Sequence, residues 1–334
     1  MKKILIVGAG GFTGGFIAEE GLRRGFEVWA GVRATTSRRY LSDERLHFLT
    51  FDFENPGSIA ATLREALPEG EKWDWIVYNL GATKVLRFAE FSRINYDYLR
   101  YFIAALKETS MMPEKFLYMS SLSVMGPGDE KDYKPFHEKM IPSPHTRYGA
   151  SKLKAEMFLA GEGVPFIIFR PTGIYGPRDK DYYLMFKSMA QGFDVGAGFR
   201  RQMLTFIYVE DLARAVYDAL ERAPIGETYI ISEPRSYSQT EFRRLVADAL
   251  GKKLVLPVRF PLWALKGVSA VAEKIGAARG KPSTLNRDKY NIMRQRNWSA
   301  DISKAQRDFG FAPRVSLNEG VRKSVRWYKD NGML

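Results

Sequence analysis

Tyr148 and Lys152, within the run Tyr148-Gly149-Ala150-Ser151-Lys152, are the residues best spaced to do chemistry in this chain. On a helix, residues four apart share one face, and an ammonium beside a phenol favours the phenolate. A free tyrosine titrates at about 10 and a neighbouring cation lowers that value, so Tyr148 is expected to exchange a proton near neutral pH. The same spacing also occurs on ordinary solvated helices. The pair gains weight only from the elements that position it.

The first of these elements opens the chain. Ile4 to Val7 is a β-prone apolar run, Gly8-Ala9-Gly10-Gly11-Phe12-Thr13-Gly14-Gly15 follows at once, and Phe16 to Arg24 has a helical pattern. Strand, glycine loop and helix in that order form the context of a dinucleotide site, although a plain tight turn shares it. The spacing Gly8-x-x-Gly11-x-x-Gly14 lets backbone N–H groups and the helix dipole approach a pyrophosphate that a Cβ would obstruct. The second strand, Glu27 to Val32, ends at Arg33, and no acid lies between Val28 and Thr36. An acid there would hold a ribose 2′-hydroxyl, whereas Arg33, Arg38 and Arg39 can clamp a 2′-phosphate. NADP(H) is therefore expected over NAD(H), with a solvated basic loop as the alternative.

Further strands are expected at Leu46 to Phe51, Trp75 to Leu80, Phe116 to Met119 and Val164 to Phe169. The third leads to Asp52-Phe53, where Asp52 can bond an adenine amine or cap its own turn. The fourth ends in Gly81-Ala82-Thr83, small residues over which a dinucleotide can lie, and Arg93 to Leu106 then reads as a helix carrying Asn95. The fifth runs into Ser120-Ser121, where a hydroxyl just past a parallel strand points into the ligand crevice or bonds its own backbone. The sixth turns out through Arg170-Pro171-Thr172-Gly173-Ile174-Tyr175-Gly176-Pro177. Strands alternating with helices, without internal repeat, predict an α/β fold with a doubly wound parallel sheet.

After Pro177, Phe206 to Val209 and Tyr229 to Ser232 read as late strands, with Asp211 as N-cap of a helix from Leu212 to Ala223. The expected division sets residues 1–177 plus 206–232, which carry the sheet and its glycine loop, apart from 178–205 plus 233–334. Leu254 to Ala278 is apolar but interrupted by Arg259, Lys266, Glu273, Lys274 and two prolines. It falls short of the roughly 20 apolar residues of a bilayer span. Trp263, Leu265 and Val268 beside Lys266 and Lys274, followed by Arg279, Lys281 and Arg287, fit a surface resting on anionic lipid or a cover for the substrate pocket.

The chain has no cysteine, which excludes disulfides and thiolate chemistry and suits a reducing cytoplasm; no metal centre is expected. Lys and Arg number 51 against 38 Asp and Glu, and the net charge of +13 favours an anionic partner. That charge is spread along the chain without a nucleic-acid motif, so a nucleic-acid partner is not expected. The apolar run after Lys2-Lys3 is only four residues long, too short for a signal peptide.

Gly8-x-x-Gly11-x-x-Gly14, Ser121, Tyr148-x-x-x-Lys152, Arg170-Pro171-Thr172 and Tyr175-Gly176-Pro177 together resemble the extended short-chain dehydrogenase/reductase family over almost the whole chain. The resemblance implies a dinucleotide-binding Rossmann domain over 1–177 plus 206–232, a smaller C-terminal substrate-binding lobe over 178–205 plus 233–334, and a catalytic set in which Ser121 orients the reacting oxygen and Tyr148 exchanges its proton. Lys152 would hold the nicotinamide ribose and tune Tyr148. The cofactor would lie against Gly8, Gly11, Phe12, Thr13 and Gly14, with Arg33, Arg38, Asp52 and Phe53 towards the adenosine. Leu80, Gly81, Ala82, Asn95, Pro171 and Thr172 would complete its contacts with Tyr148 and Lys152.

Nucleotide-sugar epimerases of the family commonly carry Asn where this chain has Gly173. The run from Arg170 to Pro177 looks more like the 3β-hydroxysteroid dehydrogenase and dihydroflavonol reductase branch, which implies apolar ketones or alcohols. The leading expectation is an NADP(H)-dependent oxidoreductase acting on a lipid-like substrate, such as a 3-keto long-chain base or a sterol-like ketone. A nucleotide-sugar epimerase, dehydratase or reductase is the first alternative, and a non-catalytic NADPH-binding sensor the second. A cytoplasmic location is expected, with contact to an anionic membrane and a homodimer left open.

Overall fold

The computed structural model describes residues 1–280, 283 and 285–334. Lys281 lies outside the described residues. The central sheet takes β1 (Lys3–Val7), β2 (Glu27–Val32), β3 (His47–Thr50), β4 (Trp75–Tyr78), β5 (Lys115–Met119) and β6 (Phe166–Pro171). β7 (Gly173–Tyr175), β8 (Phe193–Ala197), β9 (Met203–Leu204) and β10 (Phe206–Tyr208) lie outside it, and β11 (Glu227–Ile231) supplies its seventh strand. β12 (Tyr237–Ser238) and β13 (Leu256–Phe260) pair with β9 and β8. The sheet is parallel, in the order β11-β6-β5-β4-β1-β2-β3. Ile4 to Val7 are wholly buried, as an unbroken apolar run covered on both faces must be. The chain winds outward from β1 to β3, then from β4 towards β11, leaving a switch point between β1 and β4 where ligands of such sheets bind.

The helices are α1 (Phe12–Arg23), α2 (Gly57–Ala66), α3 (Ala89–Ser92), α4 (Tyr98–Glu108), α5 (Arg147–Gly161) and α6 (Asp181–Ala190). They continue as α7 (Val209–Arg222), α8 (Gln239–Leu250), α9 (Leu262–Ala278), α10 (Arg287–Arg294), α11 (Ser303–Phe309) and α12 (Leu317–Asp330). Ile17, Val216 and Phe309 bring α1, α7 and α11 onto one face of the sheet. Ile59, Phe102 and Leu159 bring α2, α4 and α5 onto the other. A third core joins Phe186, Phe242 and Val321 of α6, α8 and α12 around Tyr175 and Phe206.

Several expectations are corrected. α1 starts at Phe12 rather than Phe16, with Gly11 as its N-cap, because packing overrides the low helix propensity of Gly14 and Gly15. β3 and β4 end at Thr50 and Tyr78, short of the expected Phe51 and Leu80. The helix expected from Arg93 begins at Ala89 and passes through a π-helical turn, Arg93–Asp97, that carries Asn95. Of the two late strands, β11 joins the sheet, while β10 pairs with β7 outside it. Asp211 does not cap α7, which starts at Val209; its carboxylate accepts from the Arg314 and Val315 amides at 2.9 and 2.8 Å. Within residues 233–334, α11 packs on the sheet, where Phe309 stacks on Phe169 at 6.0 Å, whereas α8 and α12 share the third core. No described helix is long and apolar enough to cross a membrane.

Candidate active site

α5 carries Tyr148, Lys152 and Glu156 along one face. Its first turn is held from both ends of the chain: Thr146 Oγ1 accepts from the Gly149 amide at 2.9 Å, and the Tyr148 amide donates to the Asp288 carboxylate of α10 at 3.0 Å. A Cβ on Gly149 would lie 2.4 Å from the Ser123 carbonyl oxygen, so glycine lets the helix approach the serine loop. In that loop Ser121 Oγ accepts from the Ser123 amide at 3.2 Å, capping a short 3₁₀ turn, and its hydroxyl is near enough to the Tyr148 phenol to favour the phenolate. Of the two roles anticipated for a loop serine, the bond to its own backbone is the one the geometry shows.

Lys152 Nζ is buried, donates to the Met119 carbonyl at 2.9 Å and lies 4.8 Å from the centre of the Tyr118 ring. A methyl group on Gly81 would sit 2.9 Å from that nitrogen, which brings the β4 loop against the amine. Asn95 ties this loop to α5. Its Oδ1 accepts from the Ala82 amide at 2.7 Å, and its Nδ2 donates to the Ala82 carbonyl at 3.1 Å and to Ser151 Oγ at 2.9 Å. Both amide protons are engaged, so Asn95 positions the loop through its side chain. One turn beyond Lys152, Glu156 receives Arg170 Nε at 3.1 Å and Nη2 at 2.5 Å, and also the Ser120 hydroxyl. This buried ion pair fastens α5 to the ends of β5 and β6.

Burial pushes the Tyr148 phenol up to about 12, opposed by the nearby Ser121 hydroxyl. Burial likewise pulls the Lys152 ammonium down to about 7, opposed by Glu156. The expectation that Lys152 draws Tyr148 towards phenolate is therefore corrected. The amine faces the Met119 carbonyl, and desolvation disfavours both charged forms. Near neutral pH the phenol keeps its proton and the amine is close to half-charged.

The loop after β1 meets the loop after β4 at the switch point. Gly8 has φ +88°, and a Cβ on it would lie 2.8 Å from the Leu80 nitrogen; one on Gly14 would lie 2.3 Å from the Gly8 carbonyl oxygen. No side chain caps α1 at Gly11 and its first turn holds no acid, which leaves the positive helix end for an anion. This cradle, with the buried amine of Lys152 across the crevice, fits a dinucleotide. Thr13 is buried, Leu80 is half-buried, and half-buried Phe12 meets Phe16 edge-on at 5.9 Å.

The remaining sequence-derived residues are less uniform. Arg33 and Arg38 are exposed past the end of β2, and among the described residues no acid pairs with either; Arg38 lies 4.1 Å from the Phe48 ring centre. Asp52 Oδ1 accepts from the Glu54 amide at 3.0 Å, the turn role weighed for it. Phe53 is buried and stacks on Tyr98 at 5.2 Å, so any contact it makes with a ligand is through its backbone. Pro171 is buried at the end of β6, and Thr172 Oγ1 donates to Ser232 Oγ at 3.2 Å. The crevice end of the sheet therefore gathers the glycines, Leu80, Gly81, Ala82, Ser121, Tyr148, Lys152 and Thr172, while Arg33, Arg38 and Asp52 stand along its β2–β3 side.

Sequence reasoning missed Asp288, which no local pattern marks, and the role of Glu156, whose signal was the continued four-residue spacing. It also missed Arg178, held at φ +72° with its guanidinium 4.5 Å from both the Phe16 and Tyr40 rings and 2.7 Å from Glu19 Oε1.

A Rossmann sheet with a glycine loop at its switch point and Ser, Tyr and Lys at its carboxyl edge defines an NAD(P)-dependent enzyme of the extended short-chain dehydrogenase/reductase class. Residues 4–232 match the NAD dependent epimerase/dehydratase family, and the chain belongs to it. It is 24% identical over 333 residues to a ceramide reductase of Caulobacter vibrioides, covering 99% of this chain and 96% of that protein. It is 26% identical over 277 residues to the dTDP-D-glucose 4,6-dehydratase of Homo sapiens, covering 79% and 71%. The dTDP-glucose 4,6-dehydratase of Bacillus anthracis, solved in complex with NAD, shares the fold with a TM-score of 0.79 at 17% identity, covering 99% of this chain and 97% of that one.

Proposed function

We propose that this enzyme is an NADP(H)-dependent oxidoreductase that interconverts a ketone and a secondary alcohol on an apolar, lipid-like substrate, such as a 3-keto long-chain base or a sterol-like ketone. The observation that carries the reading is Tyr148 and Lys152 on one face of α5, beside the Ser121 loop at the crevice end of the sheet, with the phenol kept protonated by burial. Such a group is a general acid for carbonyl reduction. A bound NADPH supplies the hydride. Ser121 Oγ and Tyr148 Oη hold the carbonyl oxygen, Tyr148 gives that oxygen its proton, and the alcohol leaves a phenolate that water reprotonates. Lys152 in its charged form holds the ribose and stabilises the phenolate. In the oxidative direction the same groups run in reverse.

Arg33 and Arg38 support the 2′-phosphate, since no acid of the β2 end opposes it. Three features support the substrate class. Gly173 replaces the asparagine of nucleotide-sugar enzymes. A cavity of about 480 Å³ in the C-terminal part is walled by Phe199, Leu262 and Trp263. The similarity to a ceramide reductase runs the full length of the chain. A cytoplasmic enzyme that meets its substrate at a membrane surface is part of the same proposal.

A nucleotide-sugar substrate is the second reading, favoured by Arg200, Arg294 and Arg296 around that cavity and by the dehydratase relatives. A sensor without turnover is disfavoured by the retention of Ser121, Tyr148 and Lys152 together. Product analysis of long-chain ketones and sugar nucleotides incubated with NADPH or with NAD, read beside NADPH absorbance, separates these readings, because an epimerase or dehydratase returns its hydride and consumes no net cofactor. Turnover confined to sugar nucleotides would refute the lipid assignment, and no turnover on either set would favour the sensor.

A further inference from the structure

Ten of the fifteen exposed large apolar side chains among the described residues fall in two short segments, Phe193 to Phe199 and Leu254 to Ile275. Scattered surface hydrophobes are ordinary, but a gathered patch is not. The two segments are adjacent because β8 and β13 pair in parallel, with Phe193 opposite Leu256 and Val195 opposite Val258.

This ribbon is built with its polarity reversed. Asp194 is buried and receives Arg259 Nη2 at 2.5 Å, while Phe193, Val195, Leu256 and Phe260 face solvent. α9, which follows directly, also turns most of its large apolar side chains outward. Leu265 and Ser269 point inward, whereas Trp263, at 79% exposure, joins Val268, Val271 and Ile275 on the outer face. Leu265, expected on the lipid-facing side with Trp263 and Val268, is therefore part of the packing instead. Two consecutive elements that expose apolar side chains on one surface have the form of a docking face.

The charges around the face indicate its partner. From Lys252 to Gly280 the one acid is Glu273, whose carboxylate accepts from the Arg287 amide at 3.1 Å. Lys252, Lys253, Lys266, Lys274 and Arg279 are exposed in the same segment, and Arg200 and Arg201 follow Phe199. An apolar stripe with a tryptophan and a basic margin matches the interface of an anionic bilayer, where the stripe enters the acyl boundary and the cations meet the headgroups. A second copy of this chain would bring the same positive margin against itself.

We infer that the outer face of β8, β13 and α9 docks this protein on an anionic lipid surface. Trp263 and Phe199 stand at the same time on the docking face and on the wall of the 480 Å³ cavity, so the docked protein opens that cavity towards the lipid. Residues Met293 to Arg296 at the far end of α10 line the same cavity, and Asp288 near the start of that helix bonds the Tyr148 amide.

The test is flotation of the full-length protein with phosphatidylcholine vesicles, with and without about 30 mol% phosphatidylglycerol. Binding is expected to rise at least about tenfold with the anionic lipid and to weaken as salt is added. The double variant Val271→Asp/Ile275→Asp should lower it by about tenfold or more, and so should Lys266→Glu/Lys274→Glu. All four side chains are exposed, so the melting temperature and NADPH affinity of both variants should stay at wild-type values. Equal flotation with neutral and anionic vesicles, or undiminished binding by the Val271/Ile275 variant, would overturn the inference. So would conversion of a vesicle-free dimer to monomer by that variant, which would assign the face to a second copy. Turnover of a dispersed short-chain ketone by the docking variants is a separate readout, so failure of docking does not count against the proposed reaction.

Discussion

Glu156→Gln tests whether the buried pair behind the catalytic helix holds it in place. The substitution preserves shape but removes the charge facing Arg170, whose side chain is 7% exposed against 5% for Glu156. Breaking one partner of a buried pair typically costs about 3–5 kcal/mol, because the remaining ion is stranded in a poorly polarisable interior. A glutamine oxygen still accepts one of the Arg170 donors, so the low end, about 3 kcal/mol, applies. An unfolding entropy of roughly 2.1 cal/mol/K per residue gives about 0.7 kcal/mol/K for this chain, and hence a fall in melting temperature of about 4 °C. Far-UV circular dichroism on heating reads that shift, and cofactor titration shows whether Lys152 is displaced with the helix. The apolar pair Glu156→Leu/Arg170→Met should recover most of the lost stability, since the desolvation of both charges disappears together. A Glu156→Gln melting temperature within about 1 °C of wild type would sink the argument for the pair.

Four further outcomes follow from the site. Tyr148→Phe should retain cofactor affinity while turnover drops by about 10²- to 10⁴-fold, and unaltered turnover would remove Tyr148 from the reaction. Wild-type protein should bind NADPH more tightly than NADH, and Arg33→Ala should erase much of the difference; equal wild-type affinities would rule out the 2′-phosphate clamp. The Lys152 ammonium is depressed to about 7, so it is charged below that pH and neutral above it. Cofactor affinity of the free enzyme should then weaken by up to about tenfold per unit above pH 7, and a flat profile identical to that of Lys152→Met would contradict it. Asp288→Ala should cost about 1 kcal/mol of stability and lower turnover more than cofactor affinity, whereas equal losses in both would reduce Asp288 to a purely structural support.

The sequence made the sheet legible where apolar runs were continuous: Glu27 to Val32 is a strand as read, and Ile4 to Val7 lies within one. The four-residue spacing of Tyr148 and Lys152 likewise put both on one face of a real helix. The sign of the Tyr148 shift was not readable, because it depends on burial by segments distant in the chain and not on its neighbour on α5. Asp288 is 140 residues from the amide it serves, and no periodic pattern records such a contact. Phase was the difficulty at α9. With Leu262, Trp263, Leu265, Val268, Val271 and Ile275 distributed nearly all round the helix, periodicity does not select a buried face. Asn95 sits in a π-helical turn, whose extra residue shifts every side chain that a regular period would have placed.

The bond from the Tyr148 amide to Asp288 limits how freely the family's parts can be exchanged. A C-terminal segment grafted from a relative must carry an acid at this one place, or the helix bearing Tyr148 loses the partner of its first-turn amide. Exchange of the C-terminal segment is thus not a modular operation: the piece removed also carries a fixture of the helix left behind.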